Sequence, residues 1–99
     1  MTNNSKLSIT GGKGFAITTD NGVTVSVQFG TGNYCDNRMG GPTSENAEVA
    51  VIFADGTWYN WGSDDVVGYV PANEVSRLIG YCQSFDPTLQ EKFYFNIRR

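Results

Sequence analysis

Phe15-Ala16-Ile17-Thr18-Thr19-Asp20-Asn21-Gly22-Val23-Thr24-Val25-Ser26-Val27-Gln28-Phe29 is the stretch whose reading decides the fold. From Gly14 to Thr19, Phe15 and Ile17 alternate with Ala16 and Thr18, which is the period of a strand with one buried face. Asp20-Asn21-Gly22 then supplies turn chemistry, and from Val23 to Phe29 the alternation resumes. Val23, Val25, Val27 and Phe29 face one way; Thr24, Ser26 and Gln28 face the other. A β-hairpin is expected.

Upstream, Lys6-Leu7-Ser8-Ile9-Thr10 reads as a short strand ended by Gly11-Gly12, and the polar residues 1–5 are expected to fray. Downstream, Ala47 to Phe53 is β-rich, Ala54-Asp55-Gly56 is a turn, and Thr57 to Trp61 is predicted to return as a strand. Ala50 and Ile52 are apolar opposite Val49, Val51 and Phe53, so this strand should lie inside the sheet, covered on both sides. Ala72 to Ser84 is predicted to be a helix entered through Pro71, whose missing N–H costs nothing there. Val75, Leu78, Ile79, Cys82 and Phe85 form its apolar stripe, with Glu74, Ser76, Arg77 and Gln83 turned away. Gly80 weakens the helix and suggests a close approach to the sheet. Asp86-Pro87 ends it, and Lys92 to Ile97 reads as a last strand, Phe93 and Phe95 on one face and Tyr94 on the other. The predicted fold is one α+β domain over residues 1–99: a twisted antiparallel sheet of about five or six strands with one helix on a face.

A chain of 99 residues holds one core, and with 39% apolar and 13% aromatic residues that core should be thin. Ten acidic against 7 basic residues leave a net charge of −3 with no basic stripe, which argues against direct nucleic-acid binding. With no histidine, the usual general base, the Ser–His and Cys–His pairs and imidazole zinc sites are excluded. Cys35 and Cys82 lack CxxC spacing, and without a signal peptide or long apolar span free thiols in a cytoplasm and no membrane contact are expected. Cys35 has no base partner and stands beside Asp36, so it is not expected to act as a nucleophile.

Candidate chemistry concentrates in residues 30–46, a long connection without a predicted element. Its glycines allow close backbone approach, Asn33, Asn37 and Arg38 carry hydrogen-bonding heads, and Tyr34 offers a stacking face. Arg38 is the only basic residue between Lys13 and Arg77. These residues suit a small anionic ligand such as a nucleotide; the competing reading is that the glycines and asparagines only make turns, Tyr34 packs and Arg38 is solvated. Gly30-Thr31-Gly32 lacks the third glycine and the Gly-Lys-Ser/Thr of a phosphate loop. Trp58 and Trp61 complete the candidate ligand-binding set; Tyr59 and Trp61 share one strand face and Trp58 takes the other, and while one face is expected to pack in the core, the other should form an exposed aromatic patch that suits base stacking or a protein interface. Asp55, Asp64 and Asp65 lack EF-hand spacing and read as solvated turns. No cofactor or metal is expected.

Gly14-Phe15-Ala16-Ile17-Thr18, Asn21 through Gly30, and Gly32-Asn33-Tyr34-Cys35 together resemble a pattern in small proteins of tailed phages and prophages. Asn46 to Ala50 and Val67-Gly68-Tyr69-Val70 are similar too, so the resemblance covers about two thirds of the chain. It brings no catalytic residue set. It implies the cytoplasm of an infected bacterium and action against host defence. Two functions follow as expectations: sequestration of a nucleotide-derived immune signal, in a homo-oligomer, or stoichiometric inhibition of a host defence nuclease or effector such as a CRISPR-Cas complex. A signal-degrading enzyme comes third, because histidine and a paired-carboxylate signature are missing.

Overall fold

The computed structural model describes residues 5–99, so of the segment expected to fray only Ser5, which is exposed, falls within it. The strands are β1 (Lys6–Ile9), β2 (Gly14–Thr18), β3 (Thr24–Gln28), β4 (Asn46–Ile52) and β5 (Val67–Pro71), followed by helix α1 (Ala72–Ser84) and a 3₁₀ segment, Pro87–Lys92. The strands pair antiparallel in the order β1-β2-β3-β4-β5, each beside its neighbour in sequence. The α+β arrangement therefore holds, with one helix on a five-stranded open sheet.

Register follows from the alternation. Ile17 stands opposite Val25, Val25 opposite Val51 and Val27 opposite Val49, so the apolar residues of three strands line one face. α1 covers that face over β3, β4 and β5, burying Leu78 and Cys82 completely against Val23, Val25, Val49, Val51 and Val70. Each such side chain taken from water contributes roughly 1.5–3 kcal/mol. The covered face outruns its helix: Leu7 and Ile9 of β1, opposite Ile17 and Phe15, are 72% and 87% exposed.

Two expected strands and the expected setting of Gly80 are corrected. The segment Thr57 to Trp61 is not a strand; it touches β4 through one bridge, Ile52 to Trp58, and β4's second partner is β5, in which Gly68 and Pro71 had masked the strand. The tail is not a strand either. Its alternation is real, with Phe93 and Phe95 buried and Tyr94 exposed, but its backbone bonds to helix side chains instead of a ladder. Tyr94 N–H donates to the Tyr81 hydroxyl at 3.2 Å, Arg98 N–H to Glu74 Oε1 at 2.8 Å, and the Asn96 carbonyl accepts from Arg77. The rings of Phe53, Tyr59, Tyr81 and Phe85 all contact Phe93, at centroid separations of 4.6–5.3 Å, so ring packing takes the place of strand pairing. Gly80, expected to press on the sheet, is exposed with nothing near its would-be side chain.

Glu74, expected to point away, is buried because it ties the tail to α1: Arg77 binds it at 2.6 Å and Arg98 N–H completes the contact. The Arg77 hydrogen bond, then the Arg98 amide, hold its carboxyl down at about 2. A carboxyl lowered on folding stabilises fully above its ordinary value of 4.5, and that contribution is lost as pH falls toward about 2. Near-ultraviolet circular dichroism across that window should lose aromatic signal in the wild type, and Glu74→Gln should show a flatter profile. Superimposable profiles would remove Glu74 as the acid-sensitive tie.

Both thiols are free and buried, and desolvation pushes Cys82 up to about 12. A thiol reagent should find neither group in the native protein and two after unfolding without reductant; two fast-reacting native thiols would contradict the packing.

Candidate functional site

The uncovered face of the sheet carries the other half of the alternation. Gln28 stands opposite Glu48 and Ser26 opposite Ala50, with Thr18 and Thr24 joined through their hydroxyls at 2.8 Å. Because Trp58 pairs with Ile52, it falls on this same face, 48% exposed, while Ala50 beneath is buried. Ser26, Gln28, Glu48, Ala50, Trp58 and Val66 enclose a recess of about 140 Å³. The Gln28 amide nitrogen donates to Ser26 Oγ at 3.1 Å, which leaves the Gln28 carbonyl and the Glu48 carboxylate as acceptors beside an indole face. Burial pushes the Glu48 carboxyl up, Arg38 pulls it down and Asp64 adds to the rise, so the loop carrying Arg38 lies within electrostatic reach of the recess.

That loop is folded, although it has no helix or strand. Asn37 is its internal brace: Oδ1 accepts from Gly30 N–H at 2.7 Å and from the Cys35 thiol at 3.2 Å, and Nδ2 donates to the Gly41 carbonyl at 2.9 Å. Asp36 N–H donates to Asn46 Oδ1 at 2.7 Å, and Tyr69 N–H to the Tyr34 carbonyl at 2.9 Å, fastening the loop to β4 and β5. Gly68 makes that seat possible, since a Cβ there would stand 2.6 Å from Tyr34 Cβ. Next to it Tyr69 takes a left-handed backbone, φ 55°, at the irregularity between β4 and β5. Such conformations cost of order 1–3 kcal/mol and persist only where the surroundings hold them. Here the Tyr34 carbonyl and Arg99, bonded to the Gly68 and Tyr69 carbonyls, do so.

On this frame Tyr34 is 54% exposed and the Arg38 guanidinium lies 5.0 Å from its ring centroid. A planar cation parked on a ring is oriented before any ligand arrives and keeps its donors free at the rim. Asn33 has its amide nitrogen buried without a hydrogen-bond partner among the described residues.

The six candidate residues divide accordingly. Asn33, Tyr34 and Arg38 sit together on the loop, and Trp58 stands on the open face that Arg38 reaches through Glu48. Asn37 belongs to the loop but spends its amide on bracing it. Trp61 is separated from Trp58: it packs edge-on against Tyr59 at 4.9 Å, on the aromatic core side. Ser26, Gln28 and Glu48 join the site from positions that carried a signal, the polar half of the β3 alternation and its partner on β4. Among the described residues no group of His, Cys, Asp or Glu could hold a metal ion; Asp55 instead accepts from Thr57 N–H at 2.9 Å, closing a turn. No helix of the described residues is long and apolar enough to cross a membrane. No known protein family, curated protein or solved structure matches the chain.

Proposed function

We propose that the protein binds and sequesters a small anionic, nucleotide-like ligand, without catalysis, as a phage-encoded countermeasure in the host cytoplasm. The observation that carries this reading is the Arg38 guanidinium held over Tyr34 on a braced, exposed loop. Arg38 meets phosphate oxygens there with charge-assisted hydrogen bonds, and Tyr34 shields one side of the contact from water. Trp58 supplies a stacking face for a base, and the acceptors of Gln28 and Glu48 suit the amino and imino donors of its edge. Nothing in this arrangement asks for a general base or a nucleophile, in keeping with a site that holds its ligand unchanged.

The test is calorimetric titration of cyclic and linear nucleotides into the wild-type protein, with the ligand recovered and analysed afterwards. Saturable binding with intact ligand supports the reading. Failure of every nucleotide to bind sinks it and transfers preference to the second reading, a stoichiometric inhibitor of a host defence nuclease or effector. That reading draws on the half-exposed Trp58, a residue type enriched at the energetic centres of protein interfaces.

A further inference from the structure

The two edges of the sheet are finished differently. At β5 the outer backbone is occupied: Tyr69 N–H bonds the Tyr34 carbonyl, and Arg99 covers the Gly68 and Tyr69 carbonyls. β1 has β2 on one side and no strand on the other among the described residues. Exposed edges of this kind are templates for pairing, and monomeric proteins commonly blunt them with charge, proline or a bulge. β1 carries Lys6 alone against that hazard.

Antiparallel geometry says which groups β1 offers. Thr10 N–H donates to the Gly14 carbonyl at 3.1 Å, so the bonded positions toward β2 are the even ones, Thr10, Ser8 and Lys6. The N–H and C=O groups of Leu7 and Ile9 therefore point outward. These are also the residues whose side chains extend the covered face beyond its helix, 72% and 87% exposed. Backbone and side chains thus call for the same thing, another strand with apolar residues at alternate positions.

We infer that a second copy of this chain fills that place, β1 pairing antiparallel with the partner's β1 about a two-fold axis at Ser8. Only registers that put odd residues opposite odd residues keep both apolar faces on one side. Of these, the one centred on Ser8 uses β1 alone: Leu7 exchanges hydrogen bonds with the partner's Ile9, and Ile9 with the partner's Leu7. The four side chains then continue the Phe15–Ile17 row across the axis. Because the β5 edge is occupied, head-to-tail addition is blocked and the assembly closes at two copies. Strands this short fall below the roughly 800 Å² per partner of stable complexes, so the dimer depends on concentration. The two Arg38 loops, beside β5, end up at opposite extremes of the joined sheet, so each copy keeps a whole site. The pairing therefore stands or falls apart from the nucleotide reading.

Light scattering on a concentration series should show the mass rising from 10.8 kDa toward twice that value. Ile9→Lys should remain at the monomer mass at the same concentrations, with an unchanged circular dichroism spectrum. Ser8→Cys should form a disulfide-linked dimer under mild oxidation, because opposed residues of a non-bonded pair bring their Cβ atoms to about 4.5–5.5 Å. Lys6→Cys should not, its counterpart lying four residues along the strand, roughly 13 Å away. The buried native thiols stay out of the reaction. A monomer at every concentration overturns the inference, as does a dimer that Ile9→Lys leaves intact or a Lys6→Cys variant that crosslinks as fast as Ser8→Cys.

Discussion

Arg38→Ala should reduce affinity for a bound nucleotide by about tenfold to a hundredfold, the equivalent of roughly 1.5–3 kcal/mol for a charge-assisted hydrogen bond in a partly desolvated site. The fold should not register the change, because an exposed loop side chain contributes within about ±0.5 kcal/mol. Tyr34→Ala should weaken the same ligand twice over, by removing a stacking surface and by freeing the guanidinium that the ring orients. Asp64→Ala, on an exposed turn, should leave binding within a few-fold of wild type. The measurement is calorimetric titration of the nucleotide that binds wild type, with circular dichroism on each variant. Wild-type affinity in both loop variants would move the site off the loop.

Asn21→Ala should lower stability far more than the loss of an ordinary turn residue does. The residue looks like an ordinary turn former, yet its amide nitrogen donates to the Cys82 carbonyl at 2.7 Å and the Phe85 carbonyl at 2.8 Å. Its oxygen accepts from Val23 N–H at 3.1 Å and from the Thr19 hydroxyl. One side chain thereby closes the β2–β3 turn and satisfies carbonyls at the end of α1, where a helix leaves acceptors unpaired. Truncation strands polar groups at a partly buried junction, at about 1–3 kcal/mol for each that water does not reach. A total of about 3 kcal/mol in a domain of this size lowers Tm by more than roughly 10 °C. Thermal unfolding of Asn21→Ala beside the neighbouring Asp20→Ala, exposed on the same turn, checks this; equal melting temperatures would reduce Asn21 to a turn residue.

The β2–β3 hairpin and α1 were legible because each is governed by one strong period and bounded by local signals, Asn21-Gly22 in one case and Pro71 with Asp86-Pro87 in the other. β5 was not, since a bulge breaks its alternation at Gly68 and Tyr69 and Pro71 closes it. The tail shows the opposite error. Phe93, Tyr94 and Phe95 alternate faithfully, but alternation reports which side is buried and not what the backbone bonds to, and Tyr81, Arg77 and Glu74 lie far away in sequence. Glu74 was misplaced for the same reason, its partner Arg98 being 24 residues on. At the site, the loop's composition pointed to Tyr34 and Arg38, but nothing local marked Asn37 as the loop's internal brace. Glu48 and Gln28 were readable as strand positions only; that they face Trp58 depends on a register set by the whole sheet.

The ordering of the sheet also sorts the contacts by the length of chain they enclose. Every ladder joins strands adjacent in sequence, so most of the architecture consists of small rings closed one after another. Loop entropy grows only as about (3/2)RT ln n, yet it must be met before a distant contact yields anything. The Asn21 clamp onto Cys82 bridges a sequence separation of 61 and ties the β2–β3 turn to the last turn of the helix that follows the meander. A single asparagine thus adds a polar long-range tie beside the apolar packing of α1 on β3, β4 and β5, in a sheet whose ladders are all short-range.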